Sequence, residues 1–197
     1  MLKVGITGGI GSGKTTVCRI FEMLGIPVFY ADTVSRNLVQ QNPEVIAAIK
    51  ASFGNGIYQD ALLNTKALAK IVFNDPEKLR KLNSIVHPSV FRMLNEWIAK
   101  HAGYAYVLKE AALIFETNAH LTLDAVIVVT APESMRIKRV MQRDGATEAD
   151  VQQRMKQQMP EAEKRKQATF IIHNDESELL IPQILAIHKK LLLLHPK

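Results

Sequence analysis

Residues 8–15 read Gly-Gly-Ile-Gly-Ser-Gly-Lys-Thr, a full match to the phosphate-binding loop pattern G-x-x-x-x-G-K-[ST]. The apolar, β-branched run 1–7 before this loop predicts a strand. The run 16–24 after it has apolar residues at helical spacing and ends at Gly25, which predicts a helix. Strand, glycine-rich turn and helix follow one another in the order that a phosphate-binding loop needs.

The glycines of this run let the backbone curl so that its N–H groups converge on phosphate oxygens, where the start of the helix adds partial positive charge. Lys14 can then reach the β- and γ-phosphates, and the Thr15 hydroxyl can ligate Mg²⁺. The alternative is an ordinary glycine-rich turn. Because the flanking strand and helix are both indicated, we expect the chain to bind a nucleoside triphosphate.

The length of 197 residues predicts one domain with room for an inserted subdomain, and the apolar fraction of 47% is ordinary for a globular protein. No apolar run approaches the roughly 20 residues that span a bilayer, so we expect no membrane partner and no signal peptide. The interrupted apolar run 179–194 predicts a terminal helix packed on the core. The single cysteine, Cys18, excludes an internal disulfide, and a cytoplasmic location is expected.

Half of the formal net charge of +6 comes from residues 133–166, which hold nine basic and six acidic side chains. A basic surface with weak attraction to nucleic acid is one explanation, and a site built for several phosphates is the other. The basic residues alternate with acidic ones, and no aromatic residue lies among them for base stacking. We favour the phosphate site and expect no nucleic-acid partner. The pattern does not indicate an oligomeric state.

Short apolar runs separated by helical patterns predict an α/β fold, a five-stranded parallel sheet of the P-loop kinase type with helices on both faces. The predicted strands are 2–7, 27–31, 104–110, 125–130 and 169–173. About seventy residues separate the second strand from the third, more than one crossover helix needs.

This extra length between the second and third predicted strands suggests an insertion, and we expect the chain to have three functional parts. Residues 33–100 are mostly helical by pattern and would form an insertion that holds the second substrate; a helical cover without a ligand is the alternative. Residues 132–165 resemble two charged helices joined near Gly145, which could close as a lid and exclude water. Residues 1–32, 101–131 and 166–197 would form the nucleotide-binding core.

A phosphate-binding loop by itself does not separate kinases from GTPases or motor ATPases. The sequence contains neither an Asn-Lys-x-Asp motif for reading guanine nor an Asp-x-x-Gly switch after the second strand. The chain is also short for the machinery of most motor ATPases. With an arginine-rich lid and a helical insertion, these absences favour a small-molecule kinase. An ATP-binding regulatory module remains the alternative outside the enzymes.

Asp32 directly follows the second predicted strand, at the edge of a parallel sheet where ligands bind. It could orient an acceptor hydroxyl, accept its proton, or hold a Mg²⁺-bound water. Alternatively it caps a helix that starts near Val34. Arg36 lies one helical turn further and would meet Asp32 or an anionic substrate, although a surface salt bridge is an equal possibility.

Four further residues have two explanations each. Glu110 ends the third predicted strand and would help to position the metal through water, or is a charged strand end. Arg139 and Arg143 have i, i+4 spacing and would serve the transferred phosphate, or pair with Asp144 or Glu148 on the surface. His87 precedes Pro88 at a predicted helix break and would contact substrate or cap a helix.

The whole pattern resembles the dephospho-CoA kinases, which phosphorylate the ribose 3′-hydroxyl of dephospho-CoA with ATP in the last step of coenzyme A synthesis. The likeness covers nearly the full chain and lies in the order and spacing of short motifs: Gly5–Thr15; Ala31-Asp32 with Arg36; His87-Pro88; Leu113–Glu116; Ala131-Pro132; Arg139 with Met141–Asp144; Arg154-Met155 with Gln158; and Ile172 with Asn174.

The resemblance implies ATP and Mg²⁺ as cofactors and dephospho-CoA as the second substrate. It implies action of Asp32 at the 3′-hydroxyl, and of Arg139 and Arg143 on the transferred phosphate or ATP. It also implies substrate contacts from the residues Arg36, His87 and Glu116. The implied ATP phosphate ligands are Gly11, Ser12, Gly13, Lys14, Thr15 and Thr16.

Three positions depart from the family pattern. Tyr30 stands where an aspartate is usual, Ala112 replaces a proline, and Thr169 replaces an aspartate before the last strand. None of the three lies in the loop, at Asp32 or at the lid arginines. We therefore expect the activity to be retained and the details of acceptor binding to differ. Another small-molecule kinase is the alternative within the enzymes.

Overall fold

The computed structural model describes residues 1–59, 62–73 and 75–194, with the side chains of Lys66 and Phe73 outside the description. The strands are β1 (Leu2–Thr7), β2 (Val28–Tyr30), β3 (Tyr58–Gln59), β4 (Leu62–Leu63), β5 (Tyr106–Glu110), β6 (Ala125–Thr130) and β7 (Phe170–His173). The helices are α1 (Lys14–Met23), α2 (Ala31–Gln41), α3 (Pro43–Phe53), α4 (Thr65–Phe73), α5 (Pro76–Lys100), α6 (Glu133–Asp144), α7 (Glu148–Lys156), α8 (Glu161–Gln167) and α9 (Leu180–Leu194).

Two compact units make up the chain, residues 1–30 with 101–197, and residues 31–100. Of the segments assigned to the core and the insertion from sequence, residues 60, 61, 74 and 195–197 lie outside the described residues. Each unit has its own apolar core.

The first unit contains a five-stranded sheet in the order β2-β5-β1-β6-β7, and all of its pairings are parallel. The predicted α/β fold is confirmed. Four bounds of the predicted strands are wrong. Pro27 precedes β2, and Ala31 already belongs to α2. Tyr104 lies in a turn, where its N–H bonds to the carbonyl oxygen of His101, and Thr169 precedes β7. In each case the apolar run continues beyond the ladder, so composition alone could not locate the end.

Helices cover both faces of this sheet, and the side chains of β6 show how. Ala125, Ile127 and Val129 pack into the core that α1 and α9 cover. Val126 and Val128 alternate with them and pack with Ile114 and Phe115 on the opposite face. A strand that is apolar on both sides is typical of a parallel sheet buried between helical layers. The predicted terminal helix is α9, which buries Ile184, Ile187 and Leu191.

The second unit is formed by α2 to α5 and the small antiparallel ladder of β3 and β4. Its core includes Val45, Ile49, Val72 and Val86. The sequence did not predict the ladder. The tyrosine hydroxyl of Tyr58 in β3 donates to the carbonyl oxygen of Val39 in α2 at 2.7 Å, which ties the ladder to the helices.

The predicted helix break at His87-Pro88 is wrong, because α5 runs through Pro88 without interruption. Proline has no N–H, so this helix lacks one backbone hydrogen bond inside its span. Val86, Ser89 and Leu94 are buried on the faces that pack against the other helices of the unit. Tertiary packing therefore maintains a helix that local propensity would end.

No helix within the described ranges is both long and apolar enough to cross a membrane.

One long-range contact offers a test of how the sheet and α9 are joined. Tyr106 is fully buried in β5, and its hydroxyl lies 2.6 Å from Nδ1 of His188. Burial lowers the pKa of His188, so near neutral pH the uncharged imidazole accepts the hydrogen bond. We expect Tyr106→Phe to lower the free energy of unfolding in urea by about 1 kcal/mol, the typical net value of such a bond.

The matched control is Tyr104→Phe, which removes the same hydroxyl from a ring that is 43% exposed. Its effect should stay within about 0.5 kcal/mol. Equal losses from the two substitutions would contradict the role given to the contact between Tyr106 and His188.

Candidate active site

The loop between β1 and α1 has the backbone of an anion-binding turn. The N–H of Ser12 donates to the carbonyl oxygen of Gly9 at 3.0 Å, which closes the turn. Gly13 has φ 92°, in the left-handed region, and a side chain on it would collide with Nδ2 of Asn174. The first turn of α1 contains neither a side-chain cap nor an acidic residue. A phosphate group fits such a helix start, since it accepts from N–H groups and meets the positive end of the helix dipole.

The side chains of the loop are arranged around this turn. Nζ of Lys14 donates to the carbonyl oxygen of Gly8 at 3.0 Å, so the lysine folds back over the first half of the loop. Ser12 is fully buried, and among the described residues its hydroxyl has no hydrogen-bond partner. Thr15 and Thr16 are exposed in the first turn of α1. The predicted phosphate ligands thus lie together in one short segment.

Two side chains from distant parts of the chain hold the loop from outside. Oε1 of Gln158 accepts from the N–H of Ile10 at 2.8 Å, and Nδ2 of Asn174 donates to the carbonyl oxygen of Ser12 at 2.8 Å. The N–H of Asn174 in turn bonds to the carbonyl oxygen of Thr130 at the end of β6. The loop is therefore fixed to the carboxyl edge of the sheet and to the segment after α7.

The two arginines expected on one face of α6 have different partners. Nη1 of Arg139 donates to the carbonyl oxygen of Asn174 at 3.1 Å, which brings it to the residue that supports the loop. Nε of Arg143 pairs with Oδ1 of Asp144 at 2.7 Å, and Arg154 also reaches this carboxylate at 3.1 Å. Hydrogen bonding to Asp144 raises the pKa of Arg143, and hydrogen bonding to Arg143 lowers that of Asp144. Arg139 thus contacts the residue that supports the loop and also pairs with Glu176 at 3.3 Å, whereas Arg143 pairs locally on an exposed surface.

Glu116 takes part in a buried ion pair. Its Oε1 accepts from Nζ of Lys164 at 2.9 Å and from the N–H of Met159 at 2.7 Å. Lys164 is fully buried and donates as well to the carbonyl oxygen of Ala112 at 3.2 Å. These contacts join α8 to the segment after β5. Lys164 was missed from sequence, where it is one lysine in a charged run.

Glu110 lies where β5 ends, and in the sheet register it is opposite Ile6 of β1 and Tyr30 of β2. It is 6% exposed. The N–H of Ala111 bonds to the carbonyl oxygen of Ile6, so the chain leaves β5 beside the start of the loop. Of the predicted metal-positioning carboxylates, Glu110 is the one that belongs to the same unit as the loop.

Asp32, Arg36 and His87 belong to the second unit. All three are exposed. Asp32 lies in the first turn of α2, which begins at Ala31, so the alternative of a cap for a helix starting near Val34 is wrong. Arg36 follows one turn later in α2, and His87 lies within α5.

Each of the three departures from the family pattern has a contact of its own. The Tyr30 hydroxyl donates to Glu22 at 3.0 Å, and burial together with this bond raises the pKa of the tyrosine. The Thr169 hydroxyl accepts from the N–H of Val126 at 3.0 Å. The Ala112 carbonyl accepts from Thr7 and Lys164. All three positions are therefore integrated into the first unit.

Arg136 is the loop-contacting residue that the sequence analysis missed. It is 7% exposed and lies against Gly9 and Gly11 of the loop. A signal for it was available, because Arg136 precedes the buried Val140 by one helical turn on the apolar face of α6. An arginine at such a position is buried and needs partners.

Comparison with known proteins agrees with this geometry. The family model described as dephospho-CoA kinase matches residues 2–179. A dephospho-CoA kinase of Salinibacter ruber is 41% identical over 178 residues, which are 89% of each chain.

Solved structures extend the agreement to the fold. A structure from Thermus thermophilus has a TM-score of 0.87 at 34% identity and covers 96% of both chains. The dephospho-CoA kinase from Campylobacter jejuni has a TM-score of 0.68 at 26% identity, covering 95% of this chain and 96% of that one. With the loop, the parallel sheet and this match along nearly the whole sequence, the chain belongs to the dephospho-CoA kinase family.

Proposed function

We propose that this chain transfers the γ-phosphoryl group of ATP to the ribose 3′-hydroxyl of dephospho-CoA, giving ADP and coenzyme A. The observation that carries the proposal is the glycine loop at the start of α1, in a chain that matches the family over residues 2–179. In phosphoryl transfer the protein mainly positions the reactants and stabilises charge.

The loop binds the triphosphate of ATP. Its backbone N–H groups and the first turn of α1 receive the phosphate oxygens, with ligands from Gly11 to Thr16. Nζ of Lys14 donates to the carbonyl oxygen of Gly8 at 3.0 Å. When ATP binds, the lysine leaves this neutral acceptor and donates to the charged β- and γ-phosphates. Because negative charge moves toward the β,γ-bridging oxygen as the bond breaks, the lysine stabilises the transition state more than it stabilises bound ATP.

Mg²⁺ fits the oxygen donors at this edge of the sheet. It keeps several waters and takes one or two protein oxygens beside substrate phosphates, so an all-protein cage is not needed. The exposed hydroxyl of Thr15 in the first turn of α1 is one such donor, and Glu110 at the end of β5 would act through water. Asp32, which belongs to the second unit, is the alternative carboxylate for that role. When bound, Mg²⁺ neutralises phosphate charge.

Asp32 acts on the acceptor. An exposed carboxylate in the first turn of α2 can accept the proton of the 3′-hydroxyl and orient its oxygen. Residues 33–100 hold dephospho-CoA, and Arg36 and His87 supply polar contacts from α2 and α5. Glu116 contributes through the ion pair with Lys164, which fixes the segment after β5.

Residues 132–165 act as the lid. Arg139, held at the carbonyl of Asn174, stabilises the charge that develops on the transferred group. Arg143 also binds phosphate oxygens, once its ion pair with Asp144 has broken. Closing the lid excludes water, which prevents hydrolysis of ATP.

The experiment that tests the function is a coupled assay of ADP release with dephospho-CoA, shikimate, AMP and DNA as separate stimulants. We expect dephospho-CoA alone to raise ADP release. Stimulation by another small molecule would reassign the acceptor. If none of the small molecules raises ADP release above background, the kinase assignment fails, and stimulation by DNA alone would favour a nucleic-acid-associated ATPase.

Lys14→Ala is expected to lower turnover by about 10²–10³-fold, as for the loss of one preorganised electrostatic donor. Steady-state assays at saturating ATP measure the effect. Lys190→Ala, which removes an exposed lysine of α9, is the control and should leave turnover unchanged. Near-normal turnover of the Lys14 variant would mean that the loop is not used in this way.

Asp32→Asn separates acceptor chemistry from ATP binding, since it keeps the size of the side chain and removes its basicity. Turnover with dephospho-CoA should fall by about 10²-fold or more, with little change in ATP affinity. If Asp32 mainly orders Mg²⁺, raising the Mg²⁺ concentration should reduce the loss. Glu178→Gln, which removes the charge of an exposed carboxylate outside the insertion and the lid, is the control. Full activity of the Asp32 variant would mean that Asp32 does not act on the acceptor and that the acceptor site is built around Glu110.

A further inference from the structure

We propose that Arg136 is a positioning residue for the first half of the phosphate-binding loop, and that it sets the affinity for ATP without touching the acceptor. This inference rests on the proposed use of the loop for ATP. Its basis is a buried guanidinium packed against Gly9, together with a backbone packed against Gly11.

The backbone contact is on the Gly11 side. Gly11 has φ 79°, and a Cβ atom built on it would lie 2.9 Å from both Cα and the carbonyl carbon of Arg136. The first turn of α6 therefore packs directly on the loop. The N–H of Arg136 bonds to the carbonyl oxygen of Pro132 at 3.0 Å, which fixes this turn where the chain leaves β6.

The guanidinium contact is on the Gly9 side. A Cβ atom on Gly9 would collide with Nη1 of Arg136 and lie 3.2 Å from Cζ. The arginine fills the space that an ordinary side chain at position 9 would occupy. Gly9 carries one of the carbonyls near Nζ of Lys14, at 3.5 Å. The arginine thus supports the same half of the loop over which Lys14 folds.

Partners on two helices hold the guanidinium in place. Nε donates to the carbonyl oxygen of Ala131 at 3.1 Å, and it lies 3.6 Å from Oε2 of Glu161 in α8. Nη2 lies 3.9 Å from Glu133 in the first turn of α6. The side chain of Arg136 is only 9% exposed, so it cannot swing into solvent without losing these contacts.

The nitrogen atoms of the Arg136 guanidinium have different partners. Nε and Nη2 face the carbonyl and the carboxylates, whereas Nη1 faces the loop. Ion pairing with Glu161 orients the guanidinium plane, and that plane limits how far Gly9 can move. A loop held in its binding shape loses less conformational entropy when ATP binds, which raises the affinity.

The test uses ATP titration by calorimetry without dephospho-CoA, so its readout is independent of acceptor chemistry. Arg136→Gln should raise the Kd for ATP by about tenfold, as expected for losing a charged, preorganised contact. In steady-state assays the KM for ATP should rise in parallel, and the KM for dephospho-CoA should stay within about twofold. Lys190→Gln, which changes an exposed lysine of α9 outside the loop and the lid, is the control and should match wild type.

A double-mutant cycle then separates loop positioning from general stability. The φ of Gly9 lies outside the left-handed region, so alanine can adopt its backbone. Gly9→Ala should weaken ATP binding by about tenfold in the wild-type background, because its methyl group meets Nη1, and by less than about twofold in Arg136→Gln. Where Arg136→Gln does not fold, Arg136→Lys replaces it, since lysine also lacks Nη1.

Two outcomes would overturn the inference: an unchanged Kd for ATP in the Arg136 variant, even with a lowered unfolding midpoint, or additive effects of the two substitutions. Both presuppose that the wild-type protein binds ATP and releases ADP with dephospho-CoA. Failure of that wild-type activity would instead reject the proposed function.

Discussion

The candidate active site depends on a short glycine-rich backbone that is held open at the start of a helix. Peptide N–H groups there have no partner within the helix, and the first turn of α1 supplies neither a cap nor an acidic side chain. Such a segment is not stable by itself, so other elements must fix it. Gln158, Asn174 and Arg136 do so from the segment after α7, the end of β7 and the first turn of α6.

The parallel sheet explains how these supports converge. In the order β2-β5-β1-β6-β7, the carboxyl ends of all strands lie on one edge, and β1 occupies the centre. The loop follows β1, Glu110 ends β5, and Asn174 follows β7. The segment that leaves β6 leads directly into α6 with Arg136 and Arg139. Residues far apart in sequence therefore reach one loop because their strands share an edge.

Local patterns in the sequence were sufficient to predict the loop, a sheet of five parallel strands and the resemblance to the family. Local patterns fail where a partner distant in sequence determines the environment of a residue. Lys164 looks like a solvated lysine until Glu116 is placed beside it, and Arg136 looks like one of several lid arginines until Gly9 and Glu161 surround it. Pro88 predicts a helix end, yet packing keeps α5 continuous. For Arg143 the sequence left two interpretations open, and the structure shows the pairing with the adjacent Asp144.

The central claim is that this loop delivers the γ-phosphoryl group of ATP to one hydroxyl of dephospho-CoA. Phosphorus and proton NMR of the product, after incubation with both substrates, test it most directly. The account predicts one new phosphomonoester per ADP, with its phosphorus coupled to the ribose H3′ proton. Coupling to H2′, phosphorylation at the pantetheine end, or ADP released with inorganic phosphate and no new ester would contradict it.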